Sequence, residues 1–228
     1  MWQALYEELG EKRFVVIAVS FDTRAPDASR PFIEAAHPTH PSLLDPDHHV
    51  ADLYNMVNIP NAVWIDEDGR IVRPAESAGT GDEFRMMTRP GGIPAADRLR
   101  MTARRARYID AIRDWVENGA ASRSVWRPED AARRGHLHSA DDAQAFAHFR
   151  FGTWLAREGR HDESQFQLEI AVQLKPDSWS FKRQTWELQE VGKAGGSDFW
   201  AAVEALGSAR YYPPPISRAS TDRRRAEW

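Results

Sequence analysis

The chain has 228 residues, of which 42% are hydrophobic and 28% charged, with nine Trp and a net charge of -4. This is the composition of a globular protein of one generous or two small domains. The slightly acidic balance supplies no basic field for nucleic acid, and no apolar run reaches the length of a membrane span. Cys is absent, which excludes disulfides, thiolate metal sites and cysteine catalysis within these residues.

The start, Met1 to Tyr6, has neither a charged n-region nor an apolar h-region, so the chain as written is expected in the cytoplasm. Trp2, Leu5, Tyr6 and Leu9 fall on one helix face, and Gly10 ends that helix. Phe14 to Ser20 is a continuous β-branched and apolar run, the pattern of a strand buried on both faces of a parallel sheet. Ala25-Pro26-Asp27 opens a loop, and Ser29 to Ala36 reads as a short helix with Pro31 in its first turn. Ser42-Leu43-Leu44 is a short strand at most. Asp45 or Asp47 caps a helix running to Asn55. Ala62 to Asp66 and Arg70 to Arg73 form a hairpin around Asp68-Gly69.

Residues 74–95, with Gly79, Gly81, Gly91 and Gly92, read as a long irregular connection. Ala96 to Asn118 is a long helix with Leu99, Ala103, Ala106, Ile109, Ile112 and Val116 on one side, stopped by Gly119. Its arginines, from Arg98 to Arg107, read as a solvated face near Asp97, Asp110 and Asp114. From Asp141 the pattern changes to two helices in tandem. The tail from Tyr211, with Pro213-Pro214-Pro215 and Arg223-Arg224-Arg225, is expected to be extended.

Four histidines, His37, His40, His48 and His49, lie close to Asp45 and Asp47. Imidazole and carboxylate suit zinc or iron, but three prolines intersperse the stretch and exposed histidine is the ordinary outcome, so no metal is expected. His136 and His138 sit in a linker. Asp66-Glu67-Asp68-Gly69 lacks the full spacing of a calcium loop. No Gly-rich phosphate loop, nucleophile elbow or His-Glu-x-x-His pattern is present, and no cofactor is implied.

The order helix, buried strand, helix, short strand, helix, Pro-led hairpin, long helix resembles the thioredoxin-like superfamily. The residues that carry the resemblance are Leu5 to Leu9, Val15 to Asp22, Leu43 to Asp47, Val50 to Tyr54, Ile59-Pro60 and Ile65 to Ile71. The resemblance is to the branch of ResA/TlpA-type thiol-disulfide reductases and AhpC/TSA redoxins, and it covers residues 1–119. It implies that Pro60 is cis, that Ile59 and Pro60 form a substrate-side wall, and that Ser20-Phe21-Asp22 lies near the same rim. It also implies a thiol electron donor and a redox centre at a helix N-terminus, where free N–H groups stabilise a thiolate.

That centre, and the central strand before it, would lie upstream of Met1, so no catalytic residue is expected within this chain. Three explanations stand: a start assigned too late, a frame cut at a selenocysteine codon, or a truncated protein that has lost catalysis. The second fits the ResA-like selenoprotein group with its Trp-Ala-x-x-Sec-Gly-Cys motif. The third is disfavoured, because two strands would be left with unpaired backbone in the middle of a sheet.

Phe149 to Pro176 resembles one tetratricopeptide unit, through Gly152, Leu155, Gly159, Asp162-Glu163, Leu168, Ala171, Leu174 and Pro176. Ser164 departs from the pattern. A further helix over Ser180 to Val191 would act as a cap. The expected organisation is thus α/β thioredoxin-like and incomplete over 1–119, a linker over 120–140, an all-α tetratricopeptide-like region over 141–210 and a Pro/Arg-rich tail over 211–228. The expected function is a thiol or selenol oxidoreductase acting on disulfides or peroxides. The alternative is a non-catalytic adaptor that binds a protein or peptide through residues 141–191.

Overall fold

The computed structural model describes residues 1–24, 26–134 and 138–212. The proline and arginine runs expected to form an extended tail, together with Ala25 and His136, lie outside the described residues. The first half runs α1 (Trp2–Leu9), β1 (Ala18–Ser20), α2 (Arg30–Ala36), β2 (Ser42–Leu44), α3 (His49–Leu53), β3 (Asn61–Ile65), β4 (Ile71–Ser77) and α4 (Ala95–Asn118).

β1 pairs in parallel with β2, from Ala18↔Ser42 to Ser20↔Leu44. Only the last three residues of the apolar run become strand, and Val15 and Ile17 stay 55% and 57% exposed. The expectation of a strand buried on both faces therefore fails for this stretch. The cause is missing partners: a strand forms only where its backbone finds a ladder. β3 pairs antiparallel with β4, from Asn61↔Ser77 to Ile65↔Ile71. The Asp66 carboxylate accepts from the Asp68 and Arg70 amides, and Gly69 takes the positive φ of +78° that the turn requires. β4 runs on to Ser77, through a region read from the sequence as irregular. Pro74 is accommodated where the β3–β4 register shifts. Among the described residues, β1 is bonded only to β2 and β3 only to β4.

α1 and α4 cover the hairpin. Leu5, Leu9, Trp64, Val72, Tyr108 and Ile112 form the core there. Trp64 stacks on Trp115 at 5.1 Å and donates its indole N–H to the Tyr108 hydroxyl at 2.9 Å. A Cβ on Gly79 would lie 3.1 Å from Tyr108 Cβ, and its φ is +71°, so only glycine suits the passage under α4. The apolar stripe predicted along α4 is buried only in its second half. Leu99 is 71% exposed, because the first half of α4 extends past the small sheet; there Arg104 pairs with Glu83.

Residues 120–134, read as linker, pack on β4. Trp126 donates its amide to the Val72 carbonyl at 2.9 Å, and α5 (Pro128–Arg134) follows. Then come α6 (Ala140–Arg157), α7 (His161–Leu174), α8 (Trp179–Gln189) and α9 (Ser197–Ala205). A Ser139/Asp142 capping box starts α6. α6 and α7 form a hairpin whose tightest point is Gly152, where a Cβ would come 2.8 Å from Leu168 Cγ. Phe149 stacks on Phe181 at 4.3 Å and joins α6 to α8. α9, with Phe199 and Val203, packs on Trp179, Phe84 and Tyr211.

The helices dock on the first half through ion pairs of Arg150 with Asp52 and Arg157 with Asp47. The amide of Ser180 adds a hydrogen bond to the Val57 carbonyl at 3.2 Å. Among the described residues no helix is long and apolar enough to cross a membrane.

Candidate functional site

A cavity of about 330 Å³ opens where the end of β1, the loop before β3 and one face of α8 converge. Its walls include Ser20, Phe21, Asp22 and Arg24 after β1, Asn58 and Ile59 before β3, and Trp179, Ser180, Arg183, Gln184 and Glu187 of α8. The fold thus brings Ile59 and the Ser20–Asp22 segment to one cavity. The Ile59–Pro60 bond is cis.

The loop before β3 is held by its own side chains and by the C-terminal segment. Asn58, almost fully buried, accepts from the Ile59 amide at 2.8 Å and donates to the Tyr211 carbonyl at 3.0 Å. The Tyr212 hydroxyl donates to the Ile59 carbonyl at 2.7 Å. The backbone of Ile59, expected as the substrate-side wall, is therefore engaged on both its polar groups. Tyr211 and Tyr212 are themselves fixed by Asp82, whose carboxylate accepts both their amides at 2.9 and 2.7 Å. These two residues begin the segment expected to be extended; Tyr211 is instead buried against Trp179 and Phe84.

The opposite wall is polar and cross-braced. The Thr23 amide and hydroxyl both donate to Gln184 Oε1, at 3.1 and 2.8 Å. Arg24 Nη2 lies 2.7 Å from Glu187 Oε1, and the same carboxylate accepts from the Gly192 and Ala194 amides. Asp22 accepts the Arg24 amide at 2.9 Å. Arg183 donates Nε to the Ala194 carbonyl at 3.1 Å, with its guanidinium over the Phe199 ring.

His48 forms the floor. It stands before α3 in the left-handed region, at φ +56°, where the Asp45 carboxylate caps the helix by accepting the His49 and Val50 amides. The ring is fully buried between Phe21 and Phe149, with centroids 5.4 and 4.7 Å away; neither nitrogen makes a hydrogen bond of good geometry, although the Phe21 carbonyl is close enough to favour an N–H on the ring. Burial pushes its pKa down to about 4, against the pull of Asp45, the Phe21 carbonyl and Asp47. The ring is neutral at pH 7. The sequence reading of this histidine as exposed is corrected: the docked α6 covers it with Phe149. His40 instead packs edge-on against Tyr6, and His138 lies against the Asp52 carbonyl. Among the described residues no three His, Asp or Glu side chains gather as metal ligands would.

Sequence reasoning did not find the α8 contribution. The helix over Ser180 to Val191 reads only as a cap, and nothing local signals that Arg183, Gln184 and Glu187 close over the end of β1.

A model of the AhpC/TSA family matches residues 1–73. This first third of the chain is similar to thioredoxin-like redoxins, a likeness that points to thiol-based redox function. No curated protein and no solved structure matches the chain.

Proposed function

We propose that residues 1–119 are the substrate-side part of a thioredoxin-like oxidoreductase that reduces disulfides or peroxides. Its thiol or selenol nucleophile would be carried on a segment outside these 228 residues. The observation that carries this reading is the divided sheet. Among the described residues β1 and β3 each have a ladder on one edge only, and the rim residues beside them converge on one cavity. A central strand between the two pairs would satisfy both open edges and deliver the nucleophile beside Ile59 and Pro60. A low-pKa thiolate or selenolate attacks one sulfur of a disulfide and the other sulfur leaves as thiolate; a resolving Cys then displaces the bound sulfur as the second thiolate, and an external thiol donor reduces the resulting enzyme disulfide or selenenyl sulfide. With a peroxide, the same nucleophile attacks oxygen, is oxidised to the sulfenic or selenenic acid, and expels water or alcohol once the leaving oxygen is protonated. In the selenol form of this proposal the nucleophile is a selenocysteine in the Trp-Ala-x-x-Sec-Gly-Cys pattern of the ResA-like selenoprotein group.

Mass spectrometry of the native protein's N-terminus, with the transcript sequence 5′ to the Met1 codon, tests it. A longer product containing Cys or selenocysteine in a Trp-Ala-x-x context is expected. A native start at Met1 with unrelated upstream sequence sinks the proposal. The 228-residue chain alone is expected to be inactive in dithiothreitol-dependent insulin and peroxide reduction.

One observation favours a second reading, a binding module using the tetratricopeptide-like helices. Phe151 and Trp154 stack on each other at 6.0 Å while 47% and 45% exposed. Exposed paired aromatics are typical docking anchors. Photo-crosslinking from position 154 in cells, lost in Phe151→Ser, is the expected result; no specific crosslink argues against it.

A further inference from the structure

Among the described residues eight buried side-chain polar atoms lack a hydrogen-bond partner, and half of them belong to residues that line this cavity. They are Arg24 Nε, both ring nitrogens of His48 and Ser180 Oγ. Buried polar atoms are paired as a rule, so a cluster of orphans around a single void calls for an occupant.

The chemistry of the leftover groups indicates which occupant. The cavity's acids are already served: Glu187 accepts two amides and pairs with Arg24, and Asp22 accepts the Arg24 amide. What remains is rich in donors. The Ser180 hydroxyl can donate inward. Arg24 is ion-paired with Glu187 and, through Nε, at 3.7 Å with Asp22, which leaves its remaining guanidinium N–H groups for a ligand. A neutral imidazole has one N–H, for which the Phe21 carbonyl competes. Arg183 adds a second guanidinium to the lining. Guanidinium groups match the two oxygens of a carboxylate or phosphate. The apolar walls, Phe21, Ile59 and Trp179, leave room for an organic body. A volume of about 330 Å³ is at the lower end of metabolite-sized sites.

We propose that this cavity binds a small molecule through an oxyanion group, a carboxylate or a phosphate, held by Arg24, Arg183, Ser180 and His48. The proposal rests on the lining of the cavity and is independent of the thiol chemistry proposed above. His48 is held for this role by its surroundings. The left-handed backbone and the two flanking rings fix the imidazole in place, so the donor is in position before the ligand arrives.

The test is a titration of the ¹⁵N-labelled 228-residue chain with inorganic phosphate and, separately, with succinate, each against sodium chloride at matched ionic strength. Saturable shifts confined to Arg24, His48, Ile59, Arg183 and Gln184 are expected with at least one anion. Saturation by phosphate alone assigns the site to phosphorylated ligands, and saturation by succinate alone to carboxylic acids. Arg183→Met is expected to weaken binding at least tenfold. Ser180→Ala, which removes only a hydroxyl, is expected to weaken it about threefold with the fold intact. Shifts that do not saturate, or that chloride reproduces, would mean the cavity holds only water and would overturn the proposal. Unchanged affinity in both variants would overturn it as well.

Discussion

Lowering the pH from 7 to 5 is expected to weaken the fold through His48. In the folded chain its pKa is held at about 4, mainly by desolvation, against an unfolded value near 6.5. Between these values the unfolded state binds the extra proton and the folded state does not, so stability falls as pH drops through this window. Protonating the unfolded chain at pH 5 lowers stability by about 2 kcal/mol relative to pH 7, and by roughly 3 kcal/mol at pH 4. The groups that face the ring favour its charge through Asp45 and Asp47 and oppose it through Arg150 on α6. Urea unfolding of the wild type and of His48→Phe at pH 7 and 5 isolates the contribution. Phenylalanine fills the same slot between Phe21 and Phe149 without a titrating nitrogen, so the variant is expected to lose about 2 kcal/mol less than the wild type over this interval. Equal losses in the two proteins, or a His48 ring that titrates above pH 6 by NMR, would refute the reasoning.

Gly152→Ala is expected to destabilise the α6–α7 hairpin by about 1–2 kcal/mol, measured by thermal or urea unfolding, since the new methyl meets Leu168 at 2.8 Å. A net gain, as helix propensity alone predicts, would show that the hairpin relaxes freely. Tyr108→Phe leaves the Trp64 indole N–H buried without its acceptor and is expected to cost about 1–3 kcal/mol in the same assay. Asp82→Ala removes the acceptor of the Tyr211 and Tyr212 amides and is expected to expose residues 206–212 to limited proteolysis, at a cost of about 2 kcal/mol. An unchanged cleavage pattern would indicate that the aromatic contacts alone hold the segment.

Much of the local order was readable because it depends on near neighbours. The helix periodicity of residues 2–9, the Asp-Gly turn and the cap from Asp45 are decided within a few residues. The failures have a common cause. Phe14 to Ile17 carries strand-forming residues but finds no ladder, and Leu99 carries the right periodicity but finds nothing to pack on. Pattern states what a segment is able to bury, whereas the partner decides what it does bury. The cavity was illegible for the same reason. Ile59 was expected at the rim from the resemblance, but Gln184 and Glu187 join it only because α8 returns over β1. His48 looked like any histidine near a proline. Its burial is decided by Phe149, about a hundred residues further on.

That return of the chain has a consequence for how the protein comes to exist. The α6–α7 hairpin closes over a short loop, while Thr23–Gln184 and Asn58–Tyr211 join residues 161 and 153 positions apart. Contacts across such spans bear the largest loop-closure entropy and form late. The two lobes can therefore acquire their own cores first, and the cavity comes into being only when residues 179–195 have emerged and docked. A molecule bound there would draw its affinity from both lobes and pull the docking equilibrium with it. During synthesis, the site would report that both halves of the chain have been made and have found each other.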